Sequence, residues 1–453
     1  MKRDLTKGNI TKNLLIISIP TMFGFFAQTL YDLIDMIWIG RISAQAVAGV
    51  AIFSTIFWLA DIFNEIIGIS SISLISQSYG AGQIEKTKQM IGQSICYKMI
   101  VSMMMAIILI LILRPLSQFF SDDSTVIQYI LDYGIIRSLF LPFMFSSFSV
   151  NTALRCIGDA RHPMIIMTGT ALLNIILDPI LMFDTIAGTS IPGFGWGIQG
   201  AAIATVISTF IAFFVGILIL LTGRSYIRIS LLNVFKLTRD NVKKLSVIGL
   251  PTGLEMLFRQ GGQFLLLKFV AFYGTSALAT FGIGMRLFNL VFLPLLGLAM
   301  GGSAVAGQNL GANQIERTHR TALSAVWLGS GITGLIATFA IIFPEQIIRI
   351  FINQNQVIQI GKQMINIIAP SFIAVAISMG LNTVFAGSGY NLPYLVSGVV
   401  SRWFFQVPYS ALVVYLFYLE INYLWAGFLV AEFIELLVIL IYYRKGKWKE
   451  TRV

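Results

Sequence analysis

Apolar runs long enough to cross a bilayer recur along this chain, near 14–38, 46–76, 91–113, 127–153, 163–183 and 198–221. After a polar stretch they resume near 246–272, 277–306, 322–343, 358–386, 393–418 and 422–443. A membrane-crossing helix needs about 20 predominantly apolar residues, so the pattern predicts an all-α polytopic membrane protein of twelve transmembrane helices. The polar start, Met1 to Asn13, leads into the first run. That run is too long for the apolar core of a signal peptide and carries Asp32 and Asp35, so it reads as an uncleaved first span.

The two sets of six runs also match each other. A single offset of 231 residues places Pro20 on Pro251, Gln77 on Gln308, Gly80 on Gly311, Asn151 on Asn382 and Gly158 on Gly389. The run Gln83-Ile84-Glu85-Lys86-Thr87 falls on Gln314-Ile315-Glu316-Arg317-Thr318. One match can arise by chance, but a constant register over so long a stretch records a duplication. Six spans per copy is an even number, so both copies enter the membrane in the same sense and form parallel repeats. The reading divides the chain into an N-terminal six-helix lobe (1–221), a cytoplasmic linker (222–244) and a C-terminal six-helix lobe with a basic tail (245–453). Internal repeats of this kind characterise transporters whose lobes rock about a shared site.

Composition confirms the class and adds orientation. The 453 residues are 57% hydrophobic and 11% charged, against about 25% charged in soluble domains, and the mean hydropathy is +0.83. The net charge of +11 would suit nucleic acid, but the basic residues sit between apolar spans and in the tails. Alternate loops and the termini hold 21 of them, from Lys7 and Lys12 to Lys447 and Lys449, and the opposite loops hold four: Arg41, Arg114, Arg349 and Lys362. By the positive-inside rule both termini lie in the cytoplasm of a multi-pass protein of the cell membrane. The repeated Gln-Ile-Glu segments then read as short cytoplasmic helices. Cys96 and Cys156 offer no disulfide framework or zinc pattern, and His162 and His319 stand alone in basic loops.

Ionisable groups at bilayer depth cost at least about 2.5–3.5 kcal/mol each, so each asks for a partner or a task. In the first span Gln28, Tyr31 and Asp35 share one helical face, with Asp32 at its edge. In the fifth, Asn174 and Asp178 lie one turn apart, followed by Pro179, which frees a backbone carbonyl. The sixth adds Thr205 behind the small residues of Gly200-Ala201-Ala202-Ile203-Ala204. Two carboxylates, an amide and a hydroxyl are hard oxygen ligands for Na⁺; the carboxylates could instead carry a proton. The duplicated half lacks this acidic pair, since Asp35 meets Leu266, which points to a task performed in one lobe. The structural alternative is that Asp35 and Asp178 merely pair with Lys98, Arg137 or hydroxyls of other spans.

Glu255 and Arg259 are four residues apart, the spacing of a self-neutralising pair. Their alternative role is to line a substrate cavity with Arg286 and Arg402, as Gln28, Tyr31 and Asp32 would in the first lobe. Asp61 and Glu65, and Glu432 and Glu435, are also close in sequence but have no partner visible there. No phosphate-binding loop of the form G-x-x-x-x-G-K-[ST] occurs, and no paired aspartyl-protease or aspartate-rich prenyl-transferase motif, so an enzyme is not expected.

The stretch Gln28-Thr29-Leu30-Tyr31-Asp32-Leu33-Ile34-Asp35 with Ile39-Gly40-Arg41, the motif Asn174-Ile175-Ile176-Leu177-Asp178-Pro179, and Gly200 to Thr205 together resemble the multidrug and toxic compound extrusion (MATE) family, in its prokaryotic DinF-like branch. The resemblance covers nearly the whole chain. It implies that Asp35, Asn174, Asp178 and Thr205 form a cation site in the N-terminal lobe, with the first-span aspartate central to coupling. Glu255 resembles an acid of another branch, but the tenth span, Met364 to Ala386, has no acid to complete a second site. The expected protein is a monomeric antiporter without cofactor, exporting amphipathic, cationic organic molecules in exchange for Na⁺ or H⁺. Pro20 is the candidate hinge, or a fixed kink. The second reading is a flippase for lipid-linked saccharides, which would want a cationic cavity; the third, a channel or receptor, is disfavoured by the duplication.

Overall fold

The computed structural model describes residues 4–185, 192–230 and 236–453. Lys2 and Arg3 of the basic start, and residues 231–235 of the linker, lie outside the described residues.

The apolar runs are helical. The first six correspond to α1 (Ile10–Gly40), α2 (Ala44–Gly80), α3 (Ile84–Phe120), the pair α4 (Ser124–Leu139) and α5 (Leu141–Cys156), α6 (Arg161–Met182) and α7 (Gly197–Thr222). The second six are α8 (Arg239–Ala271), α9 (Thr275–Gly311), α10 (Ile315–Ile342), α12 (Asn355–Ile368) with α13 (Ser371–Ser388), a chain of short helices over 392–416, and α16 (Ile421–Lys445). A short helix, α11 (Pro344–Phe351), precedes α12. Among the described residues nine helices are long and apolar enough to span a membrane alone, and α4 and α5 make a tenth span bent by 53°. The runs at 239–271 and 392–416 are helical but fall outside that set. Glu255, Arg259, Gln260 and Gln263 lower the apolarity of α8, while the other is α14 (Leu392–Val399) and α15 (Val407–Ala411) alternating with π-helical Val400–Gln406 and Leu412–Leu416.

One expectation needs correction. The repeated Gln-Ile-Glu segments are not separate short helices: Gln83 and Gln314 precede the first residues of α3 and α10, which run unbroken into their spans. Glu85 with Lys88, and Glu316 with Arg320, form ion pairs one turn apart, which suits a polar end projecting from the bilayer.

The fold gathers into two compact units, one holding Phe23–Gly249 and the other Leu5–Met22 with Leu250–Val453. Membership changes inside two helices: α1 passes from one unit to the other just after Pro20, and α8 just before Pro251. The two prolines are the pair related by the 231-residue offset. In the first unit Ile39, Phe53, Leu113, Ile130 and Tyr133 form the buried core between α1, α2, α3 and α4. In the second, Leu266, Phe269, Ile348, Val357 and Trp425 do the same for α8, α11, α12 and α16. There α9 also presses on the N-terminal part of α1, where a Cβ on Gly301 would stand 2.4 Å from Ser18 Oγ.

Candidate functional site

The polar residues of the first unit are held by helices whose sequence brings them close. Gly200 lies so near α6 that a Cβ there would stand 2.5 Å from the Leu181 carbonyl oxygen. That close approach brings α7 onto α6 and seats Thr205 beside Asn174 and Asp178. All three are buried, and Asp35 is only 6% exposed. With the Asn174 amide oriented to satisfy both of its groups, its nitrogen donates to Asp178 Oδ2 at 3.0 Å. Its oxygen then accepts from the Thr205 backbone N–H at 3.2 Å. The Thr205 hydroxyl donates to the Ala201 carbonyl at 3.1 Å, which leaves its lone pairs available.

Asp35 lies within electrostatic range of Asp178. Its Oδ1 is buried without a hydrogen-bond partner, and neither aspartate forms an ion pair among the described residues. The structural alternative raised from sequence, direct pairing with Lys98 or Arg137, is therefore not what the geometry shows. Lys98 is fully buried but donates to Asn64 Oδ1 at 2.7 Å, while Asn64 donates to Asp61 Oδ1 at 2.9 Å. Arg137 donates to the Tyr133 hydroxyl at 2.8 Å and reaches Asp35 and Asp32 only through space. The arrangement is a set of hard oxygen donors with more negative charge than the adjacent protein neutralises. A bound Na⁺, or a proton on one carboxyl, would supply the missing charge.

Next to it opens a cavity of about 280 Å³. Gln28, Tyr31 and Asp32 of α1 line it, together with Asp61 and Asn64 of α2 and Arg137 of α4. Aromatic rings of Phe25, Phe57, Phe145 and Phe148 complete the wall. Arg155 also lines it, which corrects its sequence reading as a loop charge: it sits in the last turn of α5, is 2% exposed and donates to Thr152 Oγ1 at 2.9 Å. Its spacing of four from Asn151, another lining residue, is the signal that could have found it.

The remaining candidates lie in the second unit. Glu255 and Arg259 pair at 2.5 Å, as their spacing predicts. Arg259 also reaches Glu435 at 3.0 Å, and Arg402 pairs with Glu432 and lies 3.8 Å from Glu435. Glu432 and Glu435 thus find the partners that sequence could not show. Arg286 is exposed and takes no part in this network among the described residues.

A helical membrane protein of two duplicated six-span halves, with an acidic pocket and a cavity in one half, has the organisation of a membrane transporter. The MatE family model matches residues 20–180 and again 251–412, so its two matches start at the prolines that the internal repeat aligns. The chain belongs to the MATE family, whose members are transporters and not enzymes. It is 26% identical over 452 residues to "Probable multidrug resistance protein YoeA" of Bacillus subtilis, covering 99% of this chain and 96% of that one. It is 24% identical over 461 residues to "Probable multidrug resistance protein NorM" of Thermotoga maritima, covering 98% and 94%. A solved outward-facing multidrug resistance MATE family transporter superposes with a TM-score of 0.89 at 22% identity, covering 99% and 98%.

Proposed function

We propose that this membrane transporter is an antiporter that exports amphipathic organic molecules in exchange for Na⁺ or H⁺. The observation that carries this reading is the buried pair Asp35 and Asp178, without an ion-pair partner among the described residues and with Asn174 tying Asp178 to Thr205. Substrate enters from the cytoplasmic side. After the lobes reorient, the coupling cation arrives from outside, loads the oxygen donors and favours release. One charge moving inward supplies about 2.3 kcal/mol per 100 mV, and a tenfold gradient about 1.4 kcal/mol. Together these support accumulation ratios on the order of hundreds.

Both termini lie in the cytoplasm of a cell-membrane protein that works as a monomer, without cofactor or nucleic acid. The flippase reading is not favoured, because the relatives bear multidrug resistance names. Dye efflux from proteoliposomes under imposed Na⁺ or proton gradients tests the proposal. Wild type is expected to respond to at least one gradient, and Asp35→Asn and Asp178→Asn to lose that response while remaining monodisperse. Gradient-driven efflux that survives both substitutions would remove the pair from the mechanism.

A further inference from the structure

We infer that the ammonium of Lys98 is a tethered cation: it fills an oxygen-lined place beneath the acidic pocket and keeps the coupling ion from slipping inward without substrate. This rests on the antiporter reading, including its orientation, and deepens it. Asp35 lies five residues before the end of α1 at Gly40, and Asp178 four before the end of α6 at Met182. Those are the outward ends in that reading, so the pocket sits about 6–8 Å inside them. Lys98 lies 22 residues before the corresponding end of α3 at Phe120, about 33 Å along the helix axis. A cation moving inward from the pocket must therefore pass the level of Lys98.

At that level Lys98 is fully buried, its Nζ 2.7 Å from the Asn64 Oδ1 it donates to and 4.9 Å from the Phe148 ring centre. Asn64 in turn donates to Asp61 Oδ1 at 2.9 Å, and Asp61, Glu65 and Arg155 all act on Lys98 through space. Two acids thus stand against two bases. Without the ammonium one negative charge is in excess, and Asn64, Asp61 and Glu65 offer the hard oxygens that a mobile cation takes. A lysine ammonium is a compact point charge on a flexible stem, able to hold the place of such an ion. Asp61, Asn64 and Arg155 line the cavity, so an ion that replaced it would have access. The duplication separates this task from packing. The 231-residue offset places Asp61, Asn64 and Glu65 on Phe292, Leu295 and Leu296, Lys98 on Gly329 and Arg155 on Ala386. The second unit fills the same place with hydrocarbon: a Cβ on Gly329 would stand 3.1 Å from Leu295 Cδ2. The helix pair packs there without charge, and the ammonium is kept only in the lobe that holds Asp35 and Asp178.

Ion flux into liposomes holding the purified full chain, with no substrate present, tests this. An inward Na⁺ gradient is followed with radioactive Na⁺, and a proton gradient with an internal pH dye. Wild type should admit little more than protein-free liposomes. Lys98→Gln keeps a donor for Asn64 but loses the charge, and should raise the flux of the coupling cation by about tenfold or more. Lys98→Met, closer to the apolar packing of the second unit, should leak likewise and preserves the test where the glutamine variant does not fold. Lys98→Arg keeps the charge and should stay tight. Adding Asp35→Asn to either neutral variant should close the leak, since the ion enters through the pocket. A neutral variant as tight as wild type, an arginine variant as leaky as the neutral ones, or a leak that survives Asp35→Asn overturns the inference. Because no substrate is used, the result is independent of the efflux assay. A wild type without gradient-driven dye efflux would sink the antiporter, while a leak opened by Lys98→Gln and closed by Asp35→Asn would still establish the tethered cation.

Discussion

Asn174 is the residue on which the local order of the acidic pocket turns, since one amide satisfies both the Asp178 carboxylate and the Thr205 backbone. Removing it takes a buried donor from the Asp178 carboxylate, a loss of about 1–3 kcal/mol. Asn174→Ala should therefore raise the half-maximal concentration of coupling cation for efflux by about tenfold to hundredfold. A cation titration of dye efflux checks this, and an unchanged midpoint would restrict Asn174 to packing. Asn174 and Asp178 were legible together because a spacing of four on a helix puts both on one face. Arg155 was not, because its place past the end of an apolar run looks like a loop until α5 is seen to bury it.

At the scale of the element, the helices of the second unit are joined by charge. Arg402, in the π-helical stretch Val400–Gln406, is the only bridge in the described network between that stretch and Glu432. Taking one member from a buried pair strands its partner at about 3–5 kcal/mol. Arg402→Met should lower the melting temperature of the purified protein, and adding Glu432→Gln should recover part of the loss. A double variant no more stable than the single one would show that the pair does not hold the helices. Outside the spans, Lys362 and then Arg349 hydrogen-bond Glu345 of α11 and hold its carboxyl below the ordinary carboxylate range. A depressed value stabilises the fold above the unfolded carboxyl's titration and is lost as pH falls through the lowered one. Glu345→Gln should thus melt slightly below wild type at neutral pH, with the difference closing in acid; solvent screening at this partly exposed site keeps the effect small. Thermal melts across pH would detect it, and a gap that widens in acid would contradict it.

For the whole molecule, the duplication was open to view in the chain itself, and the loop charges predict its orientation. Cysteine placed at Lys86 in a cysteine-free background should react with an impermeant maleimide only in inverted vesicles, and cysteine at Asp122 only in intact cells. Labelling with the opposite sidedness would invert the topology read from the charges. Twelve apolar runs and the 231-residue repeat follow from sequence because each is a one-dimensional property: hydropathy and register need no contact to be read. The tertiary structure alone decided which charges meet. Glu435 reaches Arg259 across 176 positions, and Lys98 reaches Asn64 across 34. It also decided that both units take part of α1 and α8, dividing them at the repeated prolines. An ion pair or a cavity depends on which helix faces turn toward one another, and hydrophobic patterning leaves that open where lipid and protein interior are equally apolar.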